Sequence, residues 1–167
     1  MTRRVHTFLA TLSLALGAAL AGCATGSGLE PGATRDAVIQ RMGQPTAVVR
    51  LPNGGERLQY SQQPAGQYAW MADFDAGGRL VSLRQVLNEN DFRRIEVGQW
   101  TRDDVEREFG PAARVERMRG WDGPILTYRW NMGPGMDRFF WVYVDPQGVV
   151  RRAHQGIEFL RAGPRRA

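Results

Sequence analysis

The chain of 167 residues has one cysteine, two histidines and no lysine. Each shortage removes a class of function. A single cysteine cannot close an intramolecular disulfide, so the fold must hold itself together by packing. Beyond the leading segment the only histidine is His154. A Ser/His/Asp or Cys/His arrangement would have to use it, and neither Ser61 nor Ser82 sits in a nucleophile-elbow context. One imidazole also cannot supply the usual cluster of a transition-metal site. Asp103, Asp104, Glu106 and Glu108 fall close together. On a helix beside Arg102 and Arg107 they read as cap and solvated-face charges. Gly54-Gly55 and Gly77-Gly78 precede no helix, so neither cradles a phosphate. The chain therefore reads as a non-enzyme that requires no cofactor and no metal.

Every basic side chain is an arginine. The formal charge is +5. The positives are scattered among acids instead of forming a nucleic-acid face. Only the tail from Arg161 to Ala167, RAGPRRA, is a small basic cluster, and a solvated end accounts for it.

Long apolar runs are scarce too. One exists, Phe8 to Ala21, about fourteen residues long and short of the ~20 that span a bilayer. Arg3 and Arg4 precede it and small residues close it, the layout of a secretory signal peptide. Leu20-Ala21-Gly22-Cys23 resembles the lipobox of bacterial lipoproteins. The resemblance implies cleavage before Cys23, with acyl chains on its thiol and on the new amine. Several chains on one residue make a stable bilayer anchor, since each buried methylene contributes about 0.8 kcal/mol. Ala24, where an aspartate favours inner-membrane retention in the lipoproteins this resembles, points to the outer membrane. The expected division is a signal peptide over residues 1–22, a lipidated tether over 23–28, and folded chain from Leu29.

The folded part repeats itself. LEPGATRDAVIQRMGQPTAVV from Leu29 matches IEVGQWTRDDVEREFGPAARV from Ile95. Thr34-Arg35-Asp36 aligns with Thr101-Arg102-Asp103, Val38 with Val105, and Gly43 with Gly110. WMADFDAGGRLV from Trp70 parallels FWVYVDPQGVVR from Phe140. A period of about 65–70 residues in two copies is no solenoid but a pair of similar units. They run over residues 29–91 and 92–160.

Both copies share one plan. Thr34 and Thr101 are good N-caps, with Asp36, Asp103 and Asp104 in the first turn. Apolar residues then recur at helical spacing up to Gly43 and Gly110. Four strands follow in each. The first copy predicts Ala47–Leu51, Arg57–Gln62, Tyr68–Phe74 and Leu80–Leu87. The second predicts Arg114–Arg119, Ile125–Met132, Arg138–Val144 and Val149–Ile157. A short helix followed by antiparallel strands, done twice, is an α+β fold. The join, NENDFRRIEVG from Asn88, is short. It carries Phe92, Ile95 and Val97 as apolar anchors, so the copies are expected to pair strands into one larger sheet.

Phe92-Arg93-Arg94-Ile95-Glu96-Val97-Gly98, followed by Thr101-Arg102-Asp103-Asp104-Val105 and Gly110, resembles the repeat-opening motif of two related groups. One is the SmpA/OmlA (BamE-like) outer-membrane assembly lipoproteins. The other is the tandem β-lactamase-inhibitor-protein (BLIP-like) fold. The former usually has one copy, and the latter carries disulfides that this chain cannot form. The resemblance implies a periplasm-facing outer-membrane lipoprotein that acts by binding protein in outer-membrane assembly or envelope integrity. Two other roles stay open: inhibition of a periplasmic enzyme, and a structural role on lipid headgroups or peptidoglycan.

Alternation locates a candidate surface. Leu126, Tyr128, Trp130 and Met132 share the face expected to lie under the helix. In the next strand Phe140, Val142 and Val144 face inward, and Phe139, Trp141 and Tyr143 line the other side. The first copy has Ala69, Met71 and Asp73 there. A sheet with helices on one side exposes its other face. Phe139, Trp141, Tyr143, Arg129 and Met71 are therefore the candidate partner-binding residues, with burial of the row by the other sheet or the tail as the competing reading.

Overall fold

A computed structural model describes residues 28–157. Cys23, the signal peptide and the basic tail lie outside the described residues. Helix α1 (Arg35–Met42) opens the fold and is followed by strands β1 (Ala47–Arg50), β2 (Glu56–Ser61), β3 (Ala69–Phe74) and β4 (Leu80–Gln85). A single-turn helix α2 (Glu89–Phe92) lies in the join. The second unit is α3 (Arg102–Phe109), β5 (Arg114–Glu116), β6 (Ile125–Asn131), β7 (Asp137–Val144) and β8 (Val150–Ile157).

Local chemistry explains the helices. The Thr34 hydroxyl accepts from the Ala37 amide, and Thr101 accepts from that of Asp104. Asp104 returns the bond to the Thr101 amide, completing a capping box. Each helix ends where Gly43 and Gly110 take φ of 83° and 79°, which a side chain would strain. Gly55 and Gly123 hold equivalent positions for a different reason. A Cβ there would lie 2.0 Å from the Phe74 carbonyl and 2.1 Å from the Val144 carbonyl, respectively. Both copies also slip register at the same place, Asp73/Phe74 and Tyr143/Val144.

The strands form two separate four-stranded antiparallel sheets, in order β1-β2-β3-β4 and β5-β6-β7-β8. The single larger sheet expected from the short join is not what forms. The copies meet face to face through side chains. Helix α1 packs on one face of sheet 1 around Val38, Leu58, Ala72, Phe74 and Leu80. The other face of sheet 1 contributes Ala69 and Met71 to a larger core with Val105 and Phe109 of α3, and Leu126, Tyr128, Phe140 and Val142 of sheet 2. The layers therefore run α1, sheet 1, α3, sheet 2.

The join belongs to this core. Phe92 stacks on Phe140 with centroids 3.9 Å apart, and Ile95 is buried. Val97 is exposed instead of anchoring. Met132, expected in the core, is also exposed, because β6 ends at Asn131 and Met132 belongs to the hairpin tip.

Candidate functional site: the two outward sheet faces

Equivalent residues of the two sheets meet opposite fates. On sheet 1, the face away from α1 presents Arg57, Gln59 and Ser61 from β2, paired with Asp73, Met71 and Ala69 from β3. Helix α3 lies on it. Gln59 Nε2 donates to the carbonyls of Glu106 and Arg107, both at 3.0 Å. Arg57 Nη1 donates to the Arg107 carbonyl at 2.9 Å and lies 3.0 Å from Glu108 Oε1. The Arg57 guanidinium also grips Asp73 through Nε at 2.5 Å and Nη2 at 2.9 Å. These donors serve the last turn of the helix, where carbonyls lack the amides of a following turn; the Glu106 carbonyl also accepts from the Gly110 amide.

Arg57 is 4% exposed. Burial alone would lower its pKa. The hydrogen bonds and charge of Asp73, followed by those of Glu108, outweigh burial and raise it. The guanidinium thus stays charged inside the contact.

Met71 lies in this contact and is fully buried. Its Cε is 3.5 Å from where a Gly110 Cβ would be. The expectation that it meets a partner is corrected: α3 of the same chain covers it. Arg129 is also committed internally. Its guanidinium donates to the carbonyls of Pro64 and Ala65 at 2.9 and 2.8 Å. Its backbone is held by the Gln63 amide, which accepts from the Arg129 N–H (3.1 Å) and donates to its carbonyl (2.7 Å). Strand β5 begins its pairing with β6 at Arg114, opposite Thr127. The Gln63 side chain extends the ladder beyond the start of β5, and Arg129 acts as a latch between the copies.

On sheet 2, the equivalent face carries the aromatic row. Ile125, Thr127 and Arg129 pair with Tyr143, Trp141 and Phe139, which pair in turn with Arg152, His154 and Gly156. Among the described residues no helix packs on this face. Phe139 and Trp141 are half-buried, and Tyr143 is 8% exposed. Tyr143 is the covered end: Trp121 meets it edge-on at 5.4 Å, and the Arg152 guanidinium lies 5.1 Å from its ring centroid. Trp141 lies over β8 at Gly156, where a Cβ would come within 2.6 Å of its ring. Arg114 sits 5.2 Å over the Phe139 ring. His154 packs between Trp141 and Tyr143, with centroids at 5.2 and 5.4 Å. The row is therefore a shelf of rings lying against the strands, with an exposed arginine at each end.

Sequence reasoning missed Arg57, Gln59 and Gln63. A signal was present: alternation places Arg57 and Asp73 on the face opposite α1, where an arginine beside an aspartate marks a charge pair.

No group of three or more metal-ligating side chains occurs among the described residues. Nor is any described helix long and apolar enough to cross a membrane.

No protein-family profile and no curated protein matches the chain. Two solved structures are similar. The osmotically inducible lipoprotein OsmE is 23% identical, over 40% of this chain and 74% of its own, with a TM-score of 0.33. YjgB of Bacillus subtilis, a DUF4309-family protein, is 16% identical, over 75% of this chain and 79% of its own, with a TM-score of 0.30. At such scores these likenesses carry no functional argument, and the reading below rests on the chain's own residues.

Proposed function

We propose that the protein is a lipid-anchored outer-membrane lipoprotein that acts as a non-catalytic protein-binding module in the cell envelope, in outer-membrane assembly or envelope integrity. The anchor is Cys23 in Leu20-Ala21-Gly22-Cys23. The binding surface is the outer face of sheet 2. One observation carries the reading: the same face of sheet 1 is buried under a helix, whereas on sheet 2 it bears Phe139 and Trp141 flanked by arginines. Aromatic and arginine side chains are the types that dominate binding energy at protein interfaces.

Localisation is tested by replacing Cys23 with Ala. The variant should lose its acyl mass and leave the outer-membrane fraction. A native protein with a mature N-terminus elsewhere and no acyl chain would overturn the anchor. The binding surface is tested by photo-crosslinking in intact cells from Phe139 and from Val48, an exposed residue of β1. A protein adduct from the first position and not the second is the expected result.

A further inference from the structure

The two copies stack head to tail, so one copy's helix covers the previous copy's sheet. Such a heterologous contact can in principle repeat without end. The residues at the free ends decide what continues it.

At the internal contact, α3 offers Glu108 to Arg57 of sheet 1. The residue of α1 equivalent to Glu108 is Arg41; Arg35 of α1 is held by Glu56 at 2.7 Å. On sheet 2 the positions equivalent to the Arg57–Asp73 pair are Ile125 and Tyr143, and exposed Arg114 and Arg152 lie over the row. Stacking a second copy would thus bring Arg41 toward the arginines of sheet 2, in the place of the acid that makes the internal contact. Bulk changes as well. Ala69 and Met71 let α3 approach sheet 1, and Phe139 and Trp141 fill that space on sheet 2.

We infer that the outer face of sheet 2 docks a short acidic helix of a different envelope protein, carrying small residues on its docking side, and rejects a second copy of this chain. The inference deepens the binding reading and rests on it. Three observations select the occupant. The chain itself shows a helix of eight residues, α3, as the cover for this face of the repeat. The row from Phe139 to Tyr143, covered by Trp121 at its Tyr143 end, is about 13 Å long at strand rise, so a helix of no more than about eight residues, about 12 Å, fits it. The arginines at the two ends of the row, Arg152 and Arg114, the latter with Glu116 4.0 Å away, favour carboxylates and set partner choice.

The test uses the full lipoprotein in its own cells, with Phe139 replaced by p-benzoylphenylalanine, an aromatic in an aromatic's place. Adducts are sequenced by mass spectrometry, and the captured segment is made as a synthetic peptide. The expected capture is one segment of another protein, rich in Asp or Glu, whose peptide gains helical circular dichroism on adding this protein. Arg114→Glu with Arg152→Glu should lower adduct yield about tenfold. Arg152→Glu alone should lower it in part, and unchanged urea midpoints would show that both variants fold. Capture of a second copy, of a basic segment, or of one that binds without helix formation overturns the acidic-helix inference and leaves the binding reading standing. Adducts only with glycan or lipid, or none at all, overturn both.

Discussion

Replacing Arg57 with Met tests whether the copies are joined by a buried charge network or by apolar contact alone. The substitution keeps an unbranched stem and removes the guanidinium. It strands Asp73 and Glu108, whose side chains are 17% and 15% exposed, and removes a donor to the Arg107 carbonyl. Breaking a buried pair from one side typically costs about 3–5 kcal/mol, because the remaining charge is uncompensated. The low end applies, since both carboxylates keep some water and Glu108 retains Arg94 at 3.6 Å. A loss of about 3 kcal/mol is a large share of the ~5–15 kcal/mol that holds a domain of this size. With a urea m-value of about 2 kcal/mol per molar, the midpoint should fall by roughly 1.5 M. Unfolding is followed at neutral pH by tryptophan fluorescence and circular dichroism together. Arg57→Met with Asp73→Leu should recover part of the loss, because one stranded charge has gone. A midpoint shift under about 0.3 M in the single variant would refute the network.

Phe140→Ala should cost about 3–5 kcal/mol, because its ring stacks on Phe92 inside the shared core. Trp141→Ala, half-buried on the outer face, should cost roughly half as much and weaken partner capture; equal costs in urea unfolding would make the row core. Gly156→Ala should lift the Trp141 ring off β8 and red-shift its emission, since the added carbon meets the indole; an unchanged spectrum contradicts the flat placement. Asp104 has its pKa lowered by bonds from Thr101 and charge from Arg107, which outweigh burial acting in the other direction. Its contribution is therefore present above the ordinary Asp value of about 4 and lost as pH falls through the lower folded value. Asp104→Asn should flatten the acid limb of stability against pH, and an unaltered limb would contradict the assignment. Residues 29–91 and 92–160 expressed separately should each lose cooperative unfolding, because Ala69, Met71, Val86 and Leu87 share a core with Phe109 and Phe140; two cooperatively folding halves would sink this.

The signals that were legible in the sequence are local ones. The threonine N-caps, the glycine stops and the alternating strands depend on neighbours within a few residues, and all eight strands fall within a few positions of their expected places. Edges were less legible. β5 ends at Glu116 and not Arg119, because Glu116 already lies opposite Ile125, the first residue of β6, and no strand remains beyond it to pair with. The short α2 was hidden for a related reason. One capped turn, with Asn88 accepting from Asp91, leaves no periodicity to read.

The stacking order was not legible, and its chemistry explains why. A contact between folded copies is usually sought in apolar patches, whereas sheet 1 presents Arg57, Gln59, Ser61 and Asp73 around a single methionine. Those polar groups suit a helix end, whose free carbonyls require donors. They also read as an ordinary solvated face when the helix is not in view. The same rule misplaced Met71 and Arg129. Alternation assigns a residue to a face, and only the other copy decides whether that face meets water. The repeat was therefore most informative where its copies differ. At one position Met71 meets α3 and Trp141 faces outward; at another Glu108 binds Arg57 and its counterpart is Arg41. Residues common to both copies make the fold, and the substitutions between them mark where one end of the stack stops resembling the other.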